Sequence, residues 1–464
     1  MKAKSFLGAS SLLLAALSAA SAGPLDKAWL RGTTDKNPIA LGVGEPVTFT
    51  VTPMNLDGAP AEGEYTLWWK RSGDDGKTEE GTVPFTGEPF VYTTSLDCPG
   101  FVRLQAFVRV AATGKNYQKQ YTGDTTTPEG RKAMNEFEKK NRSVFFDGGA
   151  GAEIDSLESH PEPSDFDAFW ASQAERLARV PIKADRVETD CPNPRVRRWA
   201  VRIDCAGLRP VTGYLSIPKE AENGKKFPCK LETHGYSGDA FLPNKPGGAP
   251  DNMIVLNINA HGLKLPEFGA TEADRKALRW EARSHDRTYA FDPKQNEDPE
   301  IAYFNGMVLR VKRALQYLKT LPEWDGKELQ ASGGSQGGLQ TIWAAGCGEG
   351  VTLASSSITW CCDMFMNDAR LAKKVAADGW YIQWTDAMGY YDPVNFARRI
   401  PDTCKVVIPR AGLGDYCCPP MGLAKLWNNI SVPRKQITWV QGSQHGYVPP
   451  AYEGRDFVRE VSGK

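Results

Sequence analysis

Charge of one sign is what this sequence most plainly lacks: lysine plus arginine and aspartate plus glutamate both total 56, and the formal net charge is zero. Without a surplus there is no field to draw the chain onto nucleic acid or an anionic membrane, and a neutral, sugar-like ligand is the easier partner. Histidine is scarce, with five in 464 residues, so an imidazole base must be one of very few. Beyond the N-terminal segment no apolar run is long enough to span a bilayer. The ten cysteines show neither C-x-x-C nor C-x-x-H spacing, which argues against a zinc site. No metal or other cofactor is expected. In an oxidising compartment ten cysteines permit disulfides, but the adjacent pairs Cys361-Cys362 and Cys417-Cys418 cannot be given partners from sequence.

The first residues read as an export signal: Lys2 and Lys4, an apolar run from Leu12 to Leu17, and small residues at Ala20-Ser21-Ala22. Residues 1–22 are therefore expected to be removed and the mature protein to be periplasmic or secreted. No cysteine stands at the junction to take a lipid anchor.

From residue 23 to 112 the pattern has period two. Val47, Phe49 and Val51 alternate with Thr48 and Thr50, and Val102, Leu104, Ala106 and Val108 alternate with Arg103 and Gln105. This predicts a small all-β sandwich of immunoglobulin-like type. It contains no histidine, so it is read as a packing or spacing unit, with Trp68 and Trp69 as the residues that would serve sugar binding instead. Residues 113–163, polar and ending in Pro161-Glu162-Pro163, read as a linker and extended connection.

Residues 164–464 read as an α/β domain. Ser164-Asp165-Phe166-Asp167 predicts a capping box opening an amphipathic helix. Strand-like runs follow at Val196–Ile203, Val211–Ile217, Phe227–Thr233 and Met253–Asn259, and a helix at Ile301, Phe304, Val308, Val311, Leu315 and Leu318. Further runs lie at Glu328–Ser332, Val351–Ala354, Lys405–Ile408 and Gln436–Val440. Alternation of this kind predicts a mostly parallel sheet covered on both faces, with ligands at the carboxyl ends of its strands.

Gly333-Gly334-Ser335-Gln336-Gly337 follows one such run and opens a helix, the setting of a nucleophile elbow. A serine on so sharp a turn needs small neighbours, and an isolated hydroxyl needs a base and a carboxylate to orient it. His445 and Asp415 lie in loops after the last two parallel-type runs, giving the order Ser335, Asp415, His445 of α/β-hydrolases. The backbone N–H groups of Gln336 and of Tyr236, in His234-Gly235-Tyr236-Ser237-Gly238, are the expected oxyanion donors. His261, Trp360 and Trp384 are candidates for a substrate pocket, each also readable as packing; Trp380 is read in the same way.

His234-Gly235-Tyr236-Ser237-Gly238, Gly333-Gly334-Ser335-Gln336-Gly337-Gly338, Tyr391-Asp392-Pro393-Val394-Asn395-Phe396-Ala397 and Gly412-Leu413-Gly414-Asp415-Tyr416-Cys417-Cys418-Pro419-Pro420 occur in that order. Together they resemble the acetyl xylan esterase and cephalosporin-C deacetylase family, from about residue 164 to the C-terminus. The resemblance implies an α/β-hydrolase that removes O-acetyl groups from carbohydrate or another small acetylated compound through an acyl-enzyme, with the residue roles given above. Two positions depart from the family pattern: Ala260-His261-Gly262 stands where Arg-Gly-Gln is usual, and Gly446 follows His445 where glutamate is usual. The competing readings are an esterase or peptidase of other acyl specificity on the same fold, and a carbohydrate-binding surface protein with a degenerate hydrolase. The sequence leaves a homo-oligomer open.

Overall fold

The computed structural model describes residues 24–463 apart from 122, 139–141, 237–248, 282, 286, 367–369 and 371–381. The export signal, Trp380 and the Ser237-Gly238 end of the oxyanion loop lie outside the described residues. Two sheets form first. One has three strands, β1 (Trp29–Thr34), β2 (Val47–Met54) and β5 (Phe90–Thr94); the other has four, β3 (Tyr65–Gly73), β4 (Thr78–Pro84), β6 (Gly100–Val110) and β7 (Phe145–Ala152). Every described neighbour pair within them is antiparallel. The period-two residues behave as their alternation requires: Val47, Phe49, Val51, Val102, Leu104, Ala106 and Val108 are all at most 1% exposed and fill the space between the sheets. Each such side chain contributes about 1.5–3 kcal/mol by leaving water.

Trp69 packs on Tyr92 with ring centroids 4.7 Å apart, and Trp68 carries the Arg109 guanidinium 4.3 Å from its ring. Both tryptophans are thus engaged within the sandwich. The sandwich also runs beyond residue 112. Strand β7 comes from the stretch read as a connection, and its eight residues, Phe-Phe-Asp-Gly-Gly-Ala-Gly-Ala, are buried throughout. Its glycines look like turn signals in sequence, yet the backbone here is a strand on which another unit packs.

That other unit is built on a ten-stranded sheet in the order β17-β16-β15-β14-β13-β11-β12-β10-β9-β8. The antiparallel entrance consists of β8 (Ala184–Thr189), β9 (Val196–Ile203) and β10 (Val211–Pro218). The parallel centre consists of β11 (Phe227–Glu232), β12 (Ile254–Asn259), β13 (Trp324–Gly334), β14 (Leu353–Ser357), β15 (Lys405–Gly412) and β16 (Arg434–Val440), with antiparallel β17 (Asp456–Ser462) at the edge. Helices α4 (Tyr303–Lys319) and α5 (Gln336–Gly346) pack on this sheet and on each other. Twelve of the 17 residues of α4 are buried, which explains the three-and-four spacing of its apolar positions. Ile301 is the exception: it precedes the helix and is 59% exposed.

Helix α2 (Phe166–Ala178) starts where expected, but its first turn has no side-chain cap. The carboxylate of Asp165 instead accepts the Tyr390 hydroxyl, and Asp167 accepts Arg399 Nε at 2.5 Å. Tertiary partners took the groups a capping box would have used. Two short helices complete the site's surroundings, α6 (Pro393–Ala397) and α7 (Pro420–Asn429). No helix among the described residues is long and apolar enough to cross a membrane.

Candidate active site

Ser335 lies between the end of β13 and the first residue of α5, with φ 57° and ψ −121°. A side-chain-bearing residue in this region is strained by about 1–3 kcal/mol and persists only where its surroundings enforce it. They do so here by backbone hydrogen bonds: Ser335 N donates to Ser357 O at 3.0 Å, and Ser335 O accepts from Leu339 N and Trp360 N at 3.0 and 3.2 Å. The flanking glycines are required by close approach. A Cβ at Gly333 would stand 2.4 Å from Thr233 Oγ1, and one at Gly337 would stand 2.7 Å from Thr233 O. Gly334 differs, since its nearest neighbours would be 3.8 Å away.

The loop after β11 rests directly on this turn, because a Cβ at Gly235 would come within 3.8 Å of Ser335 Cβ. Next in that loop is Tyr236, whose ring stacks on Tyr289 at 4.4 Å and meets Trp360 edge-on at 5.5 Å. Tyr289 in turn donates its hydroxyl to Gln336 Oε1 at 2.6 Å, tying the loop to the first residue of α5. The N–H groups of a helix's first turn have no intrahelical acceptor, so the Gln336 N–H is available beside the nucleophile. His234 supports the loop: its Nδ1 faces Gly235 O at 2.9 Å, and its Nε2 accepts from Ala260 N at 3.4 Å. Burial lowers its pKa, so this ring stays neutral.

Asp415 and His445 follow β15 and β16. The His445 Nδ1 meets Asp415 Oδ2 at 2.9 Å, while Asp415 Oδ1 accepts backbone N–H groups of Cys417 and Cys418 at 3.0 and 2.9 Å. Asp415 is fully buried, and its carboxylate is fixed on both oxygens. Burial works to lower the His445 imidazole, but hydrogen bonding and charge from Asp415 and Cys417 outweigh it and raise its pKa. The Cys417 thiol is shifted the other way: hydrogen bonding to Cys418 lowers it, burial opposes, and His445 lowers it further.

Asp415 and His445 are therefore joined, whereas the Ser335 hydroxyl makes no hydrogen bond among the described residues. Trp360 links the two halves. It donates its N–H to Ser335 O and lines, with Tyr416 and Cys417, a sulfur-rich hollow that also meets Cys361, Cys362 and Met364. Its free volume of about 20 Å³ has room for roughly one water molecule. The wall is held by Asp392, which caps α6 through Val394 N (3.0 Å) and also accepts Asp363 N and Met364 N at 3.1 and 2.7 Å. Burial, with the nearby Asp363 charge, pushes the Asp392 carboxyl up to about 7.

Of the other pocket candidates, Trp360 is 2% exposed. His261 is fully buried against Tyr289 and Tyr303, with Nδ1 facing the Tyr303 hydroxyl at 2.8 Å. It stands behind the Tyr236 loop, not on an open wall. Trp384 is half-buried in a separate groove with His160, Pro163 and Tyr390, and His160 stacks there on Phe365 at 4.0 Å. Where the family pattern would supply an arginine near Ala260, the buried Arg310 of α4 donates Nε and Nη2 to Ala260 O at 3.0 and 2.7 Å. At Gly446 a Cβ would meet nothing within 4 Å.

Residues with no signal in the sequence complete the picture. Asp147 of β7, fully buried, holds Arg103 through two bonds of 2.8 and 2.6 Å and accepts Gln444 Nε2 at 2.6 Å. Gln441 spans Gly149, donating to its carbonyl and accepting from its N–H, both at 2.9 Å. Arg103 lies over the Tyr416 ring at 4.3 Å, and Phe145 packs on Tyr447 at 5.0 Å. The sandwich thus grips the loops that carry Asp415 and His445. A periodicity search could not find the Asp147–Gln444 and Gly149–Gln441 contacts, because the partners are 297 and 292 positions apart.

Residues 155–374 match the model of the acetyl xylan esterase family (AXE1). Over 292 residues the chain is 29% identical to the acetyl esterase Axe7A of Xylanibacter ruminicola, covering 59% of this chain and 62% of that relative. The chain thus spans less than two thirds of the curated relative it matches. Two solved acetyl xylan esterases, from Paenibacillus sp. R4 and Thermoanaerobacterium sp. JW/SL YS485, share the fold with TM-scores of 0.51 and 0.50, at 22% and 18% identity. Each alignment covers 64% of this chain and 94% of the solved one. The larger unit of this chain, with its mostly parallel sheet and strained elbow, thus has the α/β-hydrolase fold and is similar over part of its length to acetyl xylan esterases.

Proposed function

We propose that this chain is an exported serine carbohydrate esterase that removes O-acetyl groups through an acyl-enzyme intermediate. The observation that carries the reading is the pairing of a strained serine elbow with an Asp415–His445 bond of 2.9 Å at the carboxyl ends of neighbouring strands. Ser335 Oγ attacks the acetyl carbonyl while His445 Nε2 takes its proton. The Gln336 and Tyr236 N–H groups receive the tetrahedral oxyanion. Collapse returns the proton to the departing sugar hydroxyl and leaves acetyl on Ser335. Water, activated by the same imidazole, then releases acetate and restores the serine. The reading requires His445 Nε2 to come within hydrogen-bond reach of Ser335 Oγ when substrate binds.

The similarity to acetyl esterases supports acetyl over longer acyl groups. The zero net charge supports an uncharged carbohydrate substrate, and the leader-like residues 1–22 support export. Acetate release from acetylated xylan and from acetylated monosaccharides, beside hydrolysis of p-nitrophenyl acetate, butyrate and octanoate, tests the reading. Acetyl esters should be the fastest by at least about tenfold; a preference for octanoate would overturn it. Cys417 gives a second nucleophile near His445, so Ser335→Ala and Cys417→Ala are compared: the serine reading requires that only the first abolish acyl transfer.

A further inference from the structure

Spacing along the chain speaks against a zinc site, but folding gathers three soft donors that spacing does not reveal. The sulfurs of Cys417 and Cys418 and a ring nitrogen of His445 all lie within 4.8 Å of one another. Zinc–sulfur and zinc–nitrogen bonds of about 2.3 and 2.0 Å imply donor separations of roughly 3.3–3.8 Å in a tetrahedral site. A contraction of about an ångström would complete the set, and Cys417 and His445 are only partly buried, so both can move and both can be reached from solvent.

Three further features fit a cation. The Nδ1 of His445 is held by Asp415, which turns Nε2 toward the Cys417 sulfur as the donor; a carboxylate behind the imidazole is the usual support of a metal-bound histidine. Two thiolates neutralise a divalent charge, so the complex is cheap to hold in a largely buried place. The adjoining hollow is walled by Cys361, Cys362, Met364 and Met366, a soft, low-polarity lining.

We propose that Cys417, Cys418 and His445 form an inhibitory site for a soft or borderline divalent cation, Zn²⁺ or Cd²⁺. Binding forms two metal–sulfur bonds and one metal–nitrogen bond, releases the two thiol protons to solvent, and leaves water in the fourth position. The cation occupies the lone pair with which His445 would take the serine proton. That consequence rests on the esterase reading; the binding does not.

The full chain, reduced with a phosphine, is titrated with Cd²⁺ while the ultraviolet thiolate-to-cadmium band is followed, and Zn²⁺ is titrated into p-nitrophenyl acetate hydrolysis. One cation per chain is expected to account for the band that Cys417→Ser removes. Zinc inhibition should be reversed by a chelator and need at least about tenfold more zinc in Cys417→Ser, each variant being referred to its own metal-free rate. A band or an inhibition unchanged in that variant overturns the site. Where Cys417→Ser does not melt cooperatively, Cd²⁺ protection of Cys417 from iodoacetamide in the wild-type chain, read by peptide mass, replaces it, and absence of protection overturns the proposal. A band lost in Cys417→Ser in a chain without esterase activity would keep the cation site and remove the esterase reading; esterase activity without the band would do the reverse.

Discussion

Ser335 and the Asp415–His445 pair, the proposed nucleophile and its proposed acid–base partners, are held in different ways. Around Ser335 the restraint comes from the same unit: glycines at 333 and 337 packed against Thr233, the strand before and the helix after, and backbone bonds to Ser357 and Trp360. Around Asp415 and His445 the restraint comes from another unit, through Asp147, Gly149 and Arg103 of the sandwich. A turn can be specified by its own residues. A pair of loops whose relative position sets a hydrogen bond needs an external surface to rest on.

The largest test of this contrast removes chemistry from each half. Ser335→Ala should lower kcat for acetyl esters by at least about 10⁴-fold, and Asp415→Asn by about 10⁴-fold through the wrong imidazole tautomer. A loss below tenfold in either, by p-nitrophenyl acetate kinetics, would dissolve the assignment. The next attacks the brace. Gln444→Ala deletes a bond to Asp147 while leaving Arg103 paired, and should cost kcat about 10–100-fold with KM little altered, because a displaced imidazole is mispositioned for proton transfer. Unchanged kcat would show that the sandwich only covers these loops.

A smaller effect separates tight glycines from open ones. Gly337→Ala drives a Cβ to 2.7 Å from a carbonyl and should destabilise by about 1–3 kcal/mol, whereas Gly446→Ala meets nothing and should stay within about 0.5 kcal/mol. Urea denaturation measures both. The mildest is a shift in pH dependence. Imidazolium cannot accept the serine proton, so kcat/KM rises with pH through the His445 pKa, and its raised value puts that limb above the ordinary 6.5. Cys417→Ala removes one cause of the rise and should move the limb toward lower pH; a shift the other way would deny the Cys417–His445 coupling. The same raised pKa contributes stability fully present below about 6.5 and lost as pH climbs through the folded value.

This contrast also sorts what could be read in advance. The elbow was legible because its rule is steric, and the parallel strands because short apolar runs recur between helix-like stretches; β12 is buried throughout, whereas β11 and β14 bury alternate residues. Strands β8 and β17 were not legible: they are edge strands with mostly exposed or half-buried side chains, so no apolar alternation marks them. Strand β7 was hidden by Gly148, Gly149 and Gly151, which read as a loop. A Cβ at Gly149 would stand 2.5 Å from Val102 O and 3.0 Å from Leu413 O, so its glycine serves two packed backbones at once. The Asp147–Gln444 contact and the meeting of Cys417 with His445 depend on tertiary placement, which no local pattern encodes.

Gln441 bonds both backbone groups of Gly149, a residue 292 positions earlier, and this has a consequence for the newborn chain. During synthesis the β7 segment leaves the ribosome long before its partner exists; at about 5–20 residues per second the wait is on the order of 15–60 s. The first unit can fold in that interval and present a finished docking edge. The proposed site is then completed last, when the final loops arrive, so an incomplete polypeptide carries Ser335 without His445.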